Sequence, residues 1–407
     1  MGKGVNQEDI QNINRSLIIH LLRENGLCSR AQLAQMTGLK PTTITNVIND
    51  FLEWGLVKEE GLINGERGRR AIGVVLNTTN YRVIGVRLSR KYFLVGLFDI
   101  SGKQIEAEKF PINKYEEPTD VFSQIKREIA KLIQNHSDSI VLAIGVAIPG
   151  PFMRREGRIV LMSEFPDWQN IFIEKELEKE FGLPVYLEHD ANVGAFAEYW
   201  NTSISREKML VYVAAGQGVG AGIIIDGKLM KGTLGTAGEI GHMCVDYNGL
   251  YCECGNRGCL EKYCSSIAFP KAVGKKVEEG SYSIVGKDCT FNEVAEAVRK
   301  GDRLAVEEYV KECEILAVGV INLINILNPD IIVIGDDMAT VAPDLMLDTV
   351  KKTVSARVLP EILKSTTITC SNISSDSILA GACVMALEEI FKNPVIFSRL
   401  KNGSGAE

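Results

Sequence analysis

Residues 238–261 of this 407-residue chain read GEIGHMCVDYNGLYCECGNRGCLE, a stretch that places one histidine and three closely spaced cysteines within reach of a single point. Cys252, Cys254 and Cys259 form C-x-C-x4-C, and His242 precedes them by ten residues. Gly255 and Gly258 let the loop bend around that point. Three thiolates and an imidazole fill the four tetrahedral positions that Zn2+ prefers and leave no position for water, so the expected metal is structural Zn2+ bound by His242, Cys252, Cys254 and Cys259. Acidic residues flank the cluster at Glu239 and Glu261. A metal loop that fixes two carboxylates is a natural wall for a polyol-binding site.

Composition narrows the class. The chain is 45% hydrophobic, enough for a large core, and its length suggests two or three domains. No run of about 18 apolar residues is free of charge, and no basic-then-apolar leader opens the chain, so a cytoplasmic protein without a membrane span is expected. Five of the ten cysteines fall between Cys244 and Cys264, which fits reduced thiols around a metal better than a disulfide framework. Cys28, Cys289, Cys313, Cys370 and Cys383 read as core or surface thiols. The net charge of −7 argues against a protein that coats nucleic acid throughout, but residues 1–75 hold 9 basic and 8 acidic side chains and leave room for a small DNA-binding module.

Residues 1–76 have the pattern of such a module. Apolar positions Ile10, Ile13, Leu17, Ile18, Leu21 and Leu22 recur at helical spacing over 10–25. Ser29 and Gln32 make a capping box for a second helix, in which Leu33, Ala34 and Met36 are expected to face inward before the turn at Gly38. Pro41 suits the first position of a third helix, whose apolar stripe is Ile44, Val47, Ile48, Phe51 and Leu52. That leaves Thr42, Thr43, Thr45, Asn46 and Asn49 to solvent, an uncharged hydrogen-bonding face of the kind that meets base edges in the major groove. Arg67, Arg69 and Arg70 follow on a hairpin and read as the basic tip of a wing able to contact phosphates or a minor groove. The expectation is a winged helix-turn-helix with operator DNA as partner.

Beyond residue 77 the pattern turns to strands and helices. Strands are expected over 83–86, 93–98, 104–110 and 141–147, with a helix over 121–134. A similar order recurs with strands at 209–214, 222–225 and 331–335 and a long helix over 304–327. Two related α/β lobes flanking a cleft satisfy this order.

The segment from Gly238 to Glu261 resembles the signature of the ROK family, G-E-x-G-H followed by C-x-C-G-x-x-G-C-x-E. That family unites bacterial sugar kinases with sugar-responsive repressors. The resemblance, over nearly all of 80–395, implies a two-lobed actin-like (ribonuclease H-like) sugar kinase fold behind the winged helix-turn-helix, with domains at 1–76 and 77–395 and the zinc loop at 242–261. It also implies sugar contacts. Asp190, in Glu188-His189-Asp190-Ala191-Asn192, stands at the position of the kinases' catalytic base. His189 replaces their asparagine, as in the repressors of the family. Glu239, His242 and Glu261 match further sugar contacts, and Glu164 occupies the slot of an asparagine-bearing loop.

The kinase phosphate motifs are altered. Where kinases of the family carry D-x-G-G-T, this chain has Gly85 to Lys91 with Arg87 in place of the acid, and arginine does not hold Mg2+. The second phosphate loop, Gly216 to Gly222, keeps its alternating glycines. The adenosine-side glycines read Gly335-Asp336-Asp337, whose acids oppose a nucleotide phosphate. The expected protein is thus a repressor of carbohydrate-utilisation genes without enzymatic activity, a homodimer or dimer of dimers, with xylose, glucose and N-acetylglucosamine all open as effector. The competing readings are a sugar kinase with an added DNA-binding domain, and a regulator whose effector is a protein docking near the zinc loop.

Overall fold

The computed structural model describes residues 6–64, 70–113, 115–150, 152–153, 158–159, 168–201, 208–373 and 376–401. It begins with α1 (Gln7–Asn25), β1 (Cys28–Ser29), α2 (Arg30–Thr37), α3 (Pro41–Glu53) and an antiparallel hairpin of β2 (Val57–Asn64) and β3 (Arg70–Leu76). β3 lies between β1 and β2, so the three helices are closed by a three-stranded sheet. Ser29 and Gln32 form the expected reciprocal cap. Ile44, Val47, Ile48 and Phe51 of α3 are buried, and Thr42, Thr45, Asn46 and Asn49 stay exposed, with Thr43 half-buried. Met36, expected inside, is 43% exposed, and Ile10 and Ile13 are exposed as well. α2 spans only eight residues, and its inward stripe reduces to Leu33 with Ala34 half-buried.

Two five-stranded sheets of the same topology follow. The first comprises β4 (Tyr81–Leu88), β5 (Tyr92–Asp99), β6 (Gln104–Pro111), β7 (Ile140–Ile148) and β10 (Val185–His189), in the order β10-β7-β4-β5-β6. The two-residue strands β8 (Phe152–Met153) and β9 (Arg158–Ile159) pair beside it. β4, β5 and β6 form an antiparallel meander, and β7 and β10 add in parallel. The second comprises β11 (Leu210–Ala215), β12 (Val219–Ile225), β13 (Lys228–Leu229), β14 (Ile331–Gly335) and β15 (Thr367–Cys370), again a meander extended by two parallel strands. This repeated order is the actin-like duplication. The strand expected at 222–225 begins earlier, at Val219, so of the loop expected over Gly216 to Gly222 only 216–218 form the turn between β11 and β12, and Gly220 and Gly222 lie in the strand against a helix.

Helices cover the central strands β4, β7, β11 and β12, which are accordingly apolar, whereas the edge strand β6 is largely exposed. α4 (Pro118–Asn135) and α5 (Ile173–Phe181) cover one face of the first sheet. α6 (Asp190–Asn201) fills the space between the sheets. α7 (Ala268–Glu278), α8 (Phe291–Arg299), α9 (Arg303–Leu327), α10 (Pro343–Ser355) and the short α11 (Pro360–Leu363) belong to the second lobe. The chain then returns: α12 (Ser377–Lys392) packs on β4 and β7 of the first lobe. α13 (Ile396–Lys401) follows, with Phe397 against Tyr81 at 4.9 Å between ring centroids.

The N-terminal bundle shares its core with this body. Ile18, Ile19 and Leu22 of α1 join one apolar cluster with Tyr81, Trp200, Leu387 and Phe391. Arg23 lies over the Trp200 ring at 3.9 Å and donates to the Trp200 carbonyl at 2.8 Å. No helix among the described residues is long and apolar enough to cross a membrane.

Candidate functional site

The cleft between the lobes is built from the ends of strands. His189 closes β10 and Asp190 opens α6, so the strand-to-helix turn presents both to the cleft. Glu239 and His242 come from a short turn after β13, and Glu261 from the one that follows Cys259. These five residues line one cavity together with Arg90, Gln217 and Gly150. His189 Nε2 lies 3.3 Å from Asp190 Oδ1 and 3.8 Å from Glu239 Oε1. Burial pushes the Glu239 carboxyl above its ordinary range, against the pull of His189 and His242. With His189 and Glu261 buried and Asp190, Glu239 and His242 half-buried, the set offers acceptors and donors in alternation, which is what a polyhydroxylated ligand needs. Glu164 lies outside the described residues, as do Arg67 and Arg69; Arg70 is exposed at the start of β3.

The four metal-ligand candidates also converge. One donor atom from each of His242, Cys252, Cys254 and Cys259 falls within 4.8 Å of every other. Cys254 Sγ and Cys259 Sγ are 3.7 Å apart, and Cys252 Sγ lies 3.7 Å from His242 Nδ1. Tetrahedral Zn–S bonds of about 2.3 Å would set two sulfurs about 3.8 Å apart, so the spacing fits that ion. Burial pushes the Cys252 and Cys259 thiols upward, and Cys259 is raised further by the neighbouring sulfurs. A divalent cation supplies the charge such a cluster lacks. The loop closes tightly enough that a Cβ at Gly258 would meet the Asp246 carbonyl at 1.8 Å, and its φ is +69°. His242 Nδ1 faces the sulfurs, and Glu261 Oε1 lies 3.8 Å from it and 3.6 Å from Cys252 Sγ, so a carboxylate of the cleft packs against the cluster.

At the root of the cleft Arg87 Nη2 meets Asp336 Oδ1 at 2.6 Å and Nη1 meets Asp376 Oδ2 at 2.5 Å. Asp336 follows β14 and lies against the turn after β11, where a Cβ at Gly216 would sit 2.0 Å from its Oδ2. Asp376 caps α12. Burial works against the Arg87 charge, but Asp336 and Asp376 more than offset it. Burial, assisted by Asp337 and Asp376, pushes Asp336 up to about 7 although Arg87 pulls the other way. Burial is the larger cause of that direction, and the two neighbouring carboxylates add to it.

Arg90 has no assigned role in the sequence motif of Gly85 to Lys91. The structure brings it to the cleft wall, 4.0 Å from Glu261 and 3.5 Å from the Gln217 carbonyl. The signal available was its position three residues after Arg87 in the β4–β5 turn, which aims at the cleft once β4 is placed centrally.

The ROK family profile matches residues 83–389. The chain belongs to the ROK family. Within it, the chain stands with the transcriptional repressors. It is 28% identical over 396 residues to a xylose repressor of Caldicellulosiruptor bescii, covering 95% of this chain and 98% of that one. It is 32% identical over 359 residues to the DNA-binding transcriptional dual regulator NagC of Escherichia coli K12, covering 87% of each. A solved ROK family transcriptional regulator, a homologue of the Escherichia coli Mlc protein, superposes with a TM-score of 0.79 at 25% identity over 96% of this chain and all of that chain. A ROK family glucokinase from Streptomyces griseus superposes with a TM-score of 0.67 at 24% identity over 75% of this chain, sharing the fold of the two lobes.

Proposed function

We propose that this protein represses carbohydrate-utilisation genes by binding operator DNA through residues 1–76, and that a sugar in the cleft of residues 77–395 controls that binding. The convergence of His189, Asp190, Glu239, His242 and Glu261 on one cavity carries the reading. Zn2+ held by His242, Cys252, Cys254 and Cys259 stabilises the loop that fixes Glu239 and Glu261. The Arg87–Asp336–Asp376 cluster favours a regulator over a kinase, because it sets carboxylates paired to an arginine where a kinase needs room and positive charge for a nucleotide phosphate.

On the DNA side, Thr42, Thr43, Thr45, Asn46 and Asn49 of α3 are the base-reading face and Arg70, with Arg67 and Arg69, the phosphate contacts of the wing. A homodimer would set two such helices against half-sites roughly 34 Å apart or a multiple of it. The link between sites is α6. Asp190 at its first turn faces the cleft, and Trp200 near its last is gripped by Arg23 of α1. Closure on the sugar that moves α6 therefore moves α1 and misplaces one reading helix, which makes the sugar an inducer.

The test is titration of operator binding with the sugar selected by a thermal-shift screen. Sugar should lower operator affinity, and by linkage operator should lower sugar affinity by the same factor. Glu239→Gln and Glu261→Gln should lose the response while binding operator as the parent does without sugar. A normal response in both variants would place the effector site elsewhere.

A further inference from the structure

Beside the sugar cleft lies a second cavity with no role in the reading above. It is the groove between α7 and α9, of about 450 Å³, against about 40 Å³ for the cleft itself. Small-molecule sites commonly run to about 300–1,000 Å³. The groove exists because α7 presents the small side chains Ala268 and Ala272 toward Glu308, Glu312 and Ile315 of α9. Tyr263 also lines it. The groove adjoins the cleft: Arg90, Gln217 and Glu261 line both cavities.

Two features of the groove point to a ligand. Glu312 is 4% exposed and its Oε2 has no hydrogen-bond partner. Its neighbour Lys311 is committed to Glu308 at 2.5 Å, and burial, with Glu308 adding repulsion, pushes the Glu312 carboxyl well above its ordinary range. A protonated carboxyl both donates and accepts, which matches a hydroxyl, and an orphaned buried polar atom costs stability until something pairs with it. The second feature is Arg90, the partition between the cavities. Its contacts at 4.0 Å to Glu261 and 3.5 Å to Gln217 are longer than good hydrogen bonds, so this half-buried guanidinium has donors to spare at the junction.

We propose that the groove is a second glycosyl subsite, so that the effector is a disaccharide or short glycoside with one unit in the cleft, the next between α7 and α9, and Arg90 at the oxygens joining them. The proposal rests on the sugar-effector reading of the cleft. A ligand crossing from one cavity to the other must carry hydroxyl groups at both ends, because Glu239, Glu261 and His242 demand them on one side and Glu312 on the other.

The experiment uses the full-length zinc-loaded protein, with thermal shift and calorimetric titration of xylose, glucose and N-acetylglucosamine against xylobiose, cellobiose, maltose and chitobiose. One of the disaccharides should bind at least about tenfold more tightly than its own monosaccharide. Ala272→Phe, which fills the groove from its rim, should reduce that disaccharide to the affinity of the monosaccharide and leave the monosaccharide unchanged. Glu312→Leu removes the orphaned carboxyl without opening a void and should do the same. A monosaccharide that releases operator with no gain from any second unit, or a disaccharide preference that survives both variants, overturns the subsite alone. Failure of all seven sugars to bind overturns the subsite together with the sugar-effector reading.

Discussion

Replacing Arg87 with alanine removes the one cation from a buried cluster and leaves its carboxylates facing each other. The Arg87 side chain is 5% exposed and that of Asp336 4%, so neither is relieved by solvent. Removing one partner of such a pair costs about 3–5 kcal/mol, because the remaining charge stays buried without compensation. Asp376 is one-fifth exposed and also accepts from the Leu379 amide at 2.8 Å as the cap of α12, so it adds little to that sum. For a body of this size roughly 1.5 °C of melting temperature is lost per kcal/mol, so the variant should melt roughly 5–8 °C below the parent at pH 8.

The pH dependence separates this account from a simple loss of packing. Without Arg87 the Asp336 carboxyl titrates even higher in the folded state, so between about pH 7 and 8, where the parent's Asp336 loses its proton and the variant's keeps it, the deficit should grow by about 1 kcal/mol, and lowering the pH to 5 should remove that part. Adding Asp336→Asn to Arg87→Ala should likewise recover more than half of the loss at pH 8. The assay is thermal and urea denaturation of the parent, the single and the double variant at both pH values. An Arg87→Ala protein that melts within about 1 °C of the parent at pH 8, or whose deficit is the same at pH 5, would refute the reasoning.

In the parent, burial pushes Asp336 from its ordinary carboxylate range up to about 7, so its favourable contribution is complete below its unfolded value and is lost as pH rises through about 7; Asp336→Asn should flatten that part of the stability profile. Metal analysis should find about one Zn2+ per chain, and Cys254→Ser should lose the metal together with the sugar response; metal-free protein that still responds to sugar would contradict the assignment. Arg70→Ala should weaken binding to all DNA sequences and reduce the salt slope by about 1, whereas Thr43→Ala and Asn46→Ala should each cost about 1–3 kcal/mol of discrimination between operator and random DNA. With ATP, Mg2+ and any sugar that binds, phosphoryl transfer should stay at background.

The metal cluster, the stripe of α3 and the duplicated lobes were legible because each is carried by residues close in sequence. Cys252, Cys254 and Cys259 lie on one loop, and the Ile44–Val47–Ile48–Phe51 spacing needs only one helix. Arg90 was not legible in the same way. Its meaning depends on Gln217 and Glu261, more than 120 residues away, meeting the β4–β5 turn. The Arg87 cluster was half legible: a lost acid and two gained ones were visible, but that they gained and lost charge in compensation required β4, the end of β14 and the cap of α12 to meet at one point.

The errors on α1 and α2 have a different cause. Helical periodicity assumes that a helix buries one face against one core, and α1 is held between two bodies. Ile18, Ile19 and Leu22 are buried between the bundle on one side and α12 on the other, while Ile10 and Ile13, on the N-terminal half, extend beyond both. The stripe was correct in period but wrong in extent. Ile19, off the expected stripe, is buried in the apolar cluster that joins bundle and body, and the adjacent residues of α1 reach the body, Arg23 on Trp200 and His20 beside Phe391 at 6.0 Å between ring centroids. A DNA-reading module free of its neighbour has no reason to bury an apolar residue outside its own stripe. The residue that broke the pattern is therefore the one that marks where the reader is fastened to the body that would control it.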